Sequence, residues 1–220
     1  MYALVMAPEP RAIRRKPHRS VEDLERIYAI LDAGYVAHLG FNDPETGETT
    51  VIPLGYVRDG HRLLFHGSTG SRLFMALKSG VQVCATVTLL DGLVSARSAF
   101  NSSMNYRSVM AFGVTQVLQE DAKSDAMKAL TEKLIPGLWD AGRPMTSKEF
   151  AQTMIVSLPL DDVTAKQRSG EALDDEEDVT LDIWAGQIPI TTKFGEPITN
   201  QNASHVQVPE YIKLLSEWGR

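Results

Sequence analysis

The sequence predicts an α+β protein, mainly β: one domain of antiparallel strands carrying a few peripheral helices. Three observations lead there. Runs rich in Val, Ile, Leu and aromatic residues recur along the chain, separated by Gly, Pro and Asp turn signals. Only a few segments space their apolar residues as a helix does. The strand–helix alternation of a doubly wound sheet is missing, as is a GxGxxG turn behind a first strand, which leaves an antiparallel barrel or an open sheet. A chain of 220 residues, 43% hydrophobic and 23% charged, fills one such domain. Residues 1–220 read as one unit, with a basic arm at 1–19 and an acidic loop at about 170–178.

The elements follow in order. VEDLERIYAILDAG places Val21, Leu24, Ile27, Tyr28 and Leu31 on one helical face, which predicts a helix over 21–33. Ser20 suits its N-cap, with Asp23 at the third helical position, and Gly34 suits its C′ position. YVAHLGF reads as a strand and NDPETGE as a turn. TTVIPLGYVR is apolar on both faces, as a buried strand is; Pro53 has no N–H for a ladder and marks an edge, a bulge or a break. Asp59-Gly60 predicts a two-residue hairpin into HRLLFHG. A helix follows at roughly 71–79, stopped by Gly80. VQVCATVTLL is a strand with Val81, Val83, Ala85 and Val87 on one side and Cys84 as a small buried residue. Tyr106 to Leu118 reads as one long strand. DAKSDAMKALTEKLIPG has Ala126, Met127, Leu130 and Leu134 at helical spacing and stops at Pro136. TMIVSLPL and DVTAKQRSG are two more strands, and VPEYIKLLSEW is a short amphipathic helix.

Composition excludes several classes. No apolar run approaches the roughly 20 residues needed to cross a bilayer. The N-terminus sets its basic cluster behind a very short apolar piece, the reverse of a secretory signal, so a cytoplasmic protein without a membrane partner is expected. The single Cys84 forms no internal disulfide and no zinc site. His18, His38, His61 and His205 are scattered without metal-ligand spacing, so no metal is expected. Net charge is −6, and six acids (Glu171, Asp174, Asp175, Glu176, Glu177 and Asp178) lie in one block that reads as a solvated loop. Arg11, Arg14, Arg15, Lys16 and Arg19 form a basic arm, but no motif or overall charge points to nucleic acid. Arg97 reads as an ion-pairing residue. Met104, Met110 and Met154 read as packing residues.

Chemistry concentrates in FHGSTGSRLF. A strand ends at His66; Gly67 and Gly70 let the backbone turn and come close to a ligand. Ser68, Thr69 and Ser71 offer hydroxyls. The next helix starts near Ser71 or Arg72, so its free N–H groups face back into the loop. This is either a cradle for a phosphate or a plain capped loop with a surface arginine. It is not a Walker loop, because the Gly-Lys-Ser/Thr ending is absent.

In sequence order, VIPLGYVRDG, LLFHGSTGSRLFMAL, VTLLDGLVSARSAFNSSMNYRSVMAFG and IWAGQIPI resemble the pyridoxamine 5′-phosphate oxidase-related flavoproteins, most of all the nitroimidazole-resistance-like, flavin-nucleotide-binding branch. The resemblance runs from about Arg11 to Trp218. It implies an FMN-binding split β-barrel and a homodimer with flavin at the subunit interface. By this resemblance Ser71 and Arg72 grip the phosphate. Leu73 stands where the family often has lysine, which raises the question of what else neutralises the phosphate. The N-terminal arginines and Arg107 are the candidates. His66, Gly67 and Ser68 line the ribityl chain, ring or phosphate. Val51, Ile52, Pro53, Leu54 and Gly55 form the strand beside the isoalloxazine. Tyr106, Arg107 and Ser108 lie near the flavin, from the partner subunit in one arrangement, and Trp184 packs by the ring edge or in the core. His66 is the candidate catalytic group, as proton donor or substrate contact; its plain alternative is a hydrogen bond in the barrel wall. The implied activity is an FMN-dependent reductase acting on a small molecule with electrons from NAD(P)H. The alternatives are a flavin carrier or sensor, or the same barrel holding FAD or haem.

Overall fold

The architecture follows from two strands that change partners. The structure, a computed structural model, describes Arg11 and residues 13–217. The earlier part of the basic arm, residues 1–10 and Ala12, and the end of the resemblance at Trp218 lie outside the described residues. The elements are α1 (Leu24–Ala33), β1 (Val36–Asn42), β2 (Thr49–Asp59), β3 (Arg62–Ser68), α2 (Arg72–Lys78), β4 (Gln82–Ser95), β5 (Ser103–Val114), β6 (Gln116–Val117), α3 (Glu120–Leu134), α4 (Leu138–Ala141), α5 (Ser147–Gln152), β7 (Thr153–Pro159), β8 (Asp162–Arg168), β9 (Gly186–Pro189) and α6 (Glu210–Glu217). The strand order is β6-β7-β3-β2-β1-β4-β5-β8, with β9 added to β4 and every pairing antiparallel.

β2 makes the first change. Residues 49–55 pair with β1, and residues 56–59 pair with β3. β5 and β6 make the second. β5 pairs with β4 and β8, the chain turns at buried Thr115, and β6 continues onto β7. The Thr115 hydroxyl donates to the Leu77 carbonyl at 3.0 Å, which satisfies it inside the corner. These two corners roll the sheet into a barrel split between its halves. The expected α+β, mainly β, split barrel is what the chain forms.

Strict alternation fills the interior. Ala37, Leu39 and Phe41 of β1, Val83, Ala85 and Val87 of β4, and Val109 and Ala111 of β5 point inward with Phe65, Phe74 and Leu77. Each fully buried large side chain contributes about 1.5–3 kcal/mol of transfer free energy. A second cluster joins Leu64 and Ile155 to Ala126, Met127 and Leu130 of α3, on the other side of the β3–β7 pair.

Several expectations need correction. α1 begins three residues late. Ser20 bridges to Lys166 and the Val21 N–H donates to the Ala165 carbonyl at 3.0 Å, so both belong to the sheet edge. Asp23 is the true N-cap and accepts from the N–H groups of Glu25 and Arg26. Gly34 is not left-handed (φ −83°); it is needed because a Cβ there would lie 2.5 Å from the Tyr56 hydroxyl and 2.8 Å from Val87. The hairpin turns on Gly60-His61 with Asp59 paired to Arg62, and Gly60 takes the positive φ of 55°. Cys84 is half-buried rather than core, and Met104 and Met110 are exposed. The acidic block is not wholly solvated: the Asp174 side chain is 6% exposed and takes the Arg97 guanidinium at 2.7 Å, which fits the ion pair expected of Arg97. α4, α5 and β9 are additions to the elements read from the sequence, although α5 opens on a capping box formed by Thr146 and Glu149.

Candidate functional site

The split leaves a wedge between β2 and β3. Their pairing ends at Tyr56 and Phe65. Beyond it Val51, Ile52, Pro53, Leu54 and Gly55 pair only with β1, and His66, Gly67 and Ser68 pair only with β7. The two facing edges therefore keep backbone groups unpaired by any strand among the described residues. Pro53 sits on this open stretch, in register with His38, where its missing N–H costs little.

The loop from Ser68 to Arg72 closes one end of the wedge. Thr69 N–H donates to the Gln152 carbonyl at 2.9 Å, and Ser71 N–H to the Ser68 carbonyl at 3.0 Å. Ser71 occupies the N-cap of α2, but its hydroxyl caps no first-turn N–H. Those donors, like the first N–H groups of any helix, have no partner within it. Uncapped N–H groups, two serine hydroxyls and a guanidinium at one loop fit an anion.

Arg72 already has a partner. Its Nε lies 2.9 Å from Asp43 in the β1–β2 turn, with the guanidinium 61% and the carboxylate 6% exposed. Asp43 also accepts from the N–H groups of Glu45 and Thr46. Burial pushes the Asp43 carboxyl up, yet the guanidinium and these N–H groups together hold it below its ordinary value. In sequence NDPETGE reads only as a turn, and nothing in it marks Asp43 as part of the site. Leu73 is buried in the main core, so it never competed for the phosphate. Gly67 serves packing: a Cβ there would lie 2.1 Å from the Phe74 ring, while one at Gly70 would meet little.

Other candidates lie elsewhere in the chain. His66 borders the wedge by its backbone, but its side chain lines a separate cavity of about 180 Å³ with Met127, Leu130, Leu134 and Met145. A cleft of about 690 Å³ adjoins it and shares Thr131, Met145 and Thr153; Trp139, Arg143, Glu149 and Phe150 line its far side. No wall-type hydrogen bond of the His66 ring occurs among the described residues. Tyr106, Arg107 and Ser108 lie on β5, separated from β2 by β1 and β4. Arg107 is held by Asp91 through two bonds of 2.9 and 2.7 Å. Ser108 lines a groove with Arg11, Ile13, Arg14 and Lys166, where the N-terminal arm lies along the sheet. Arg11 binds Asp162 at 2.8 Å and stacks over Phe112. Trp184 is 65% exposed beside Gly186 at the far end of β4. Within one chain, then, Val51–Gly55 and Gly67–Arg72 come together, and Tyr106–Ser108 and Trp184 do not join them. Among the described residues no cluster of His, Cys, Asp or Glu could hold a bare metal ion, and no helix is long and apolar enough to cross a membrane.

Known proteins share this arrangement. The family model described as pyridoxamine 5′-phosphate oxidase matches residues 23–167. The structure is similar to that of a flavocytochrome from Azotobacter vinelandii, with 39% identity, a TM-score of 0.85, and 92% of this chain and 94% of that one covered. It is similar also to an FAD and haem binding protein from Mycobacterium smegmatis, with 35% identity, a TM-score of 0.86, and 90% and 97% covered. A protein from Bacteroides thetaiotaomicron named for 5-nitroimidazole antibiotic resistance shares the fold at 20% identity and a TM-score of 0.57, with 67% and 85% covered. A search of curated proteins finds no match.

Proposed function

Because the chain belongs to the pyridoxamine 5′-phosphate oxidase family of flavin-binding split-barrel proteins, we propose that it is a flavin-dependent oxidoreductase drawing electrons from NAD(P)H. The observation that carries this reading is the uncapped start of α2 beside the open edge of β2. Ser71, Arg72 and the first-turn N–H groups would hold phosphate. The backbone of Val51–Gly55 would lie along the ring, offering donors to its polar edge. The bound flavin supplies the hydride and electron chemistry.

FAD fits this loop better than FMN. The terminal phosphate of FMN is a monoester carrying about −1.5 to −2 charges near neutrality. Arg72 already faces Asp43, so the loop offers neutral donors and little net positive charge. A diphosphate spreads its charge over two linked groups and suits such a loop. The relative named for binding FAD and haem supports the same choice.

The reading includes a dimer. Val36, Val51 and Met110 are exposed, and in register with His38, Thr86 and their neighbours they form an outer sheet face that a second copy would cover. Tyr106, Arg107, Ser108 and Trp184 of that copy would then reach the wedge. Sedimentation should give a dimer at micromolar concentration.

The test is the visible spectrum of the purified protein and of Arg72→Ala. The wild type should show flavin bands bleached by NADH or NADPH. Arg72→Ala should lose most of its flavin while keeping the wild-type circular dichroism. Unchanged flavin affinity in a folded Arg72→Ala protein overturns the phosphate assignment. Flavin that neither nucleotide reduces would make the protein a carrier rather than a reductase.

A further inference from the structure

We propose that the pocket where the basic arm, the start of α1 and the end of β8 meet binds a phosphate monoester, held by Arg19, Arg26 and Arg168. Under the functional reading above, its source would be the 2′-phosphate of NADPH. The choice of electron donor rests on that reading; the phosphate site does not.

Three segments bring the cations together. Ser20 bridges to Lys166, and the turn Pro17–Arg19 just before it packs on β8. Arg26 lies in the first turn of α1, and its Nη2 donates to the Gln167 side chain at 2.8 Å. Arg168 ends β8, in register with Tyr106 of β5. With His18 they line one pocket of about 460 Å³.

Arg168 is the residue that asks for an anion. It is 8% exposed. Its Nη1 donates to the Asn105 side chain and to the Gly170 carbonyl, and its Nη2 to the Glu171 carbonyl at 3.0 Å. These acceptors are neutral. They pin the chain that follows β8 without cancelling the charge, and buried charges are normally paired. Elsewhere the chain does pair them: Arg58, Arg72, Arg97, Arg107 and Arg143 each face a carboxylate. Among the described residues, Arg19, Arg26, Arg168 and His18 form no ion pair, in a chain whose net charge is −6. Glu171 is the acid on the pocket wall, and it gives Arg168 its carbonyl rather than its carboxylate. Burial, and then the nearby charge of Arg19, lower the Arg168 guanidinium from its ordinary value. An anion between the two would offset that repulsion.

The cation count selects the ligand class. A phosphate monoester carries about −1.5 to −2 charges near neutrality and three strong acceptor oxygens. It can engage several guanidiniums at once, whereas one carboxylate satisfies a single fork. The Ser68–Arg72 loop is the opposite case, since its one arginine is already neutralised by Asp43. The pocket volume falls within the range of about 300–1,000 Å³ typical of ligand sites, which leaves room for a nucleoside behind the phosphate. In NADPH the 2′-phosphate is such a monoester, and the diphosphate that NADH shares with it is not. Tyr106, opposite Arg168, is one of the residues that the proposed dimer would carry to the wedge of the other copy. A donor anchored here would then turn its nicotinamide end toward the flavin.

The experiment measures binding of NADP+ and NAD+ to the purified protein by calorimetry; neither reduces flavin. NADP+ should bind the wild type about tenfold or more tightly than NAD+. The double variant Arg19→Gln with Arg26→Gln should lose that difference and keep the NAD+ affinity. It leaves Arg168 to pin the loop, so its circular dichroism and flavin content should match the wild type. Glycerol 2-phosphate separates the sources of the phosphate. If NADP+ and NAD+ bind alike, yet glycerol 2-phosphate raises the Tm of the wild type and not of the double variant, the site stands and its phosphate belongs to the substrate instead of the donor. The proposal is overturned if neither NADP+ nor glycerol 2-phosphate distinguishes the wild type from the double variant. Failure of the flavin reading shows separately, as a colourless protein or one that NADPH does not bleach, and leaves these titrations unchanged.

Discussion

Asp43 and Arg72 meet at 2.9 Å across the end of the β2–β3 wedge, so the arginine best placed to hold an anion is already neutralised by a carboxylate. The same carboxylate folds the β1–β2 turn by accepting the N–H groups of Glu45 and Thr46. The turn and the candidate phosphate loop are thereby one electrostatic unit.

Releasing Arg72 should change which flavin is preferred. The substitution Asp43→Asn keeps an oxygen acceptor for the two turn N–H groups but removes the negative charge. FMN, with the more concentrated phosphate charge, should gain affinity several-fold, and FAD should change less. Calorimetric titration of the apoprotein with each flavin measures this. An equal effect on both would break the link between Asp43 and flavin choice.

Acid should act through the same pair. Asp43 has its carboxyl held below the ordinary value of about 3.9, so it gains stability from the folded state only when ionised. That stability is fully present above about pH 4 and is lost as the pH falls further, through the depressed folded value. The urea midpoint of the wild type should therefore fall more steeply below about pH 4 than that of Asp43→Asn. Parallel curves would show that the pair adds nothing.

Gly67 should tolerate no side chain while Phe74 stays. The clash with the ring at 2.1 Å predicts a loss of about 1–3 kcal/mol or more for Gly67→Ala, of the kind seen when a packed core is overfilled. Phe74→Leu alone should also destabilise. The two together should cost clearly less than their sum, because the smaller side chain gives the new methyl room. Urea denaturation of the four proteins gives the coupling directly.

Much of this is legible in the sequence, for physical reasons that also mark where legibility ends. Strands β1 to β5 announce themselves because apolar runs and turn signals are local properties, and the Gly60 turn because few residues accept positive φ; the break at Thr115 between β5 and β6 does not, since Tyr106 to Leu118 reads as one strand. Leu73 looks like a missing charge; burial in the core explains it, and burial depends on the whole fold. The start of α1 misleads because Val21 has the right spacing for the helix yet is claimed by β8. Asp43 cannot be paired with Arg72 from sequence, since that contact spans a turn, two strands and a loop. The α4–α5 segment carries Trp139, Arg143 and Met145 with no clear period, and its meaning appears only once α3 lies beside it. His66 stands out in the sequence, but which face of β3 it takes depends on its pairing with Ile155 far along the chain.

The wedge has one more consequence. Both of its lips are main chain: one edge from β2 and one from β3, held apart because β2 turns to serve two partners. A groove built of side chains is erased by their replacement. A groove built of edges is inherited with the topology, whatever residues stand at 51 to 55, 66 or 68, provided none bridges the gap. Such a cleft lets descendants exchange the ligand while the place where it lies stays the same.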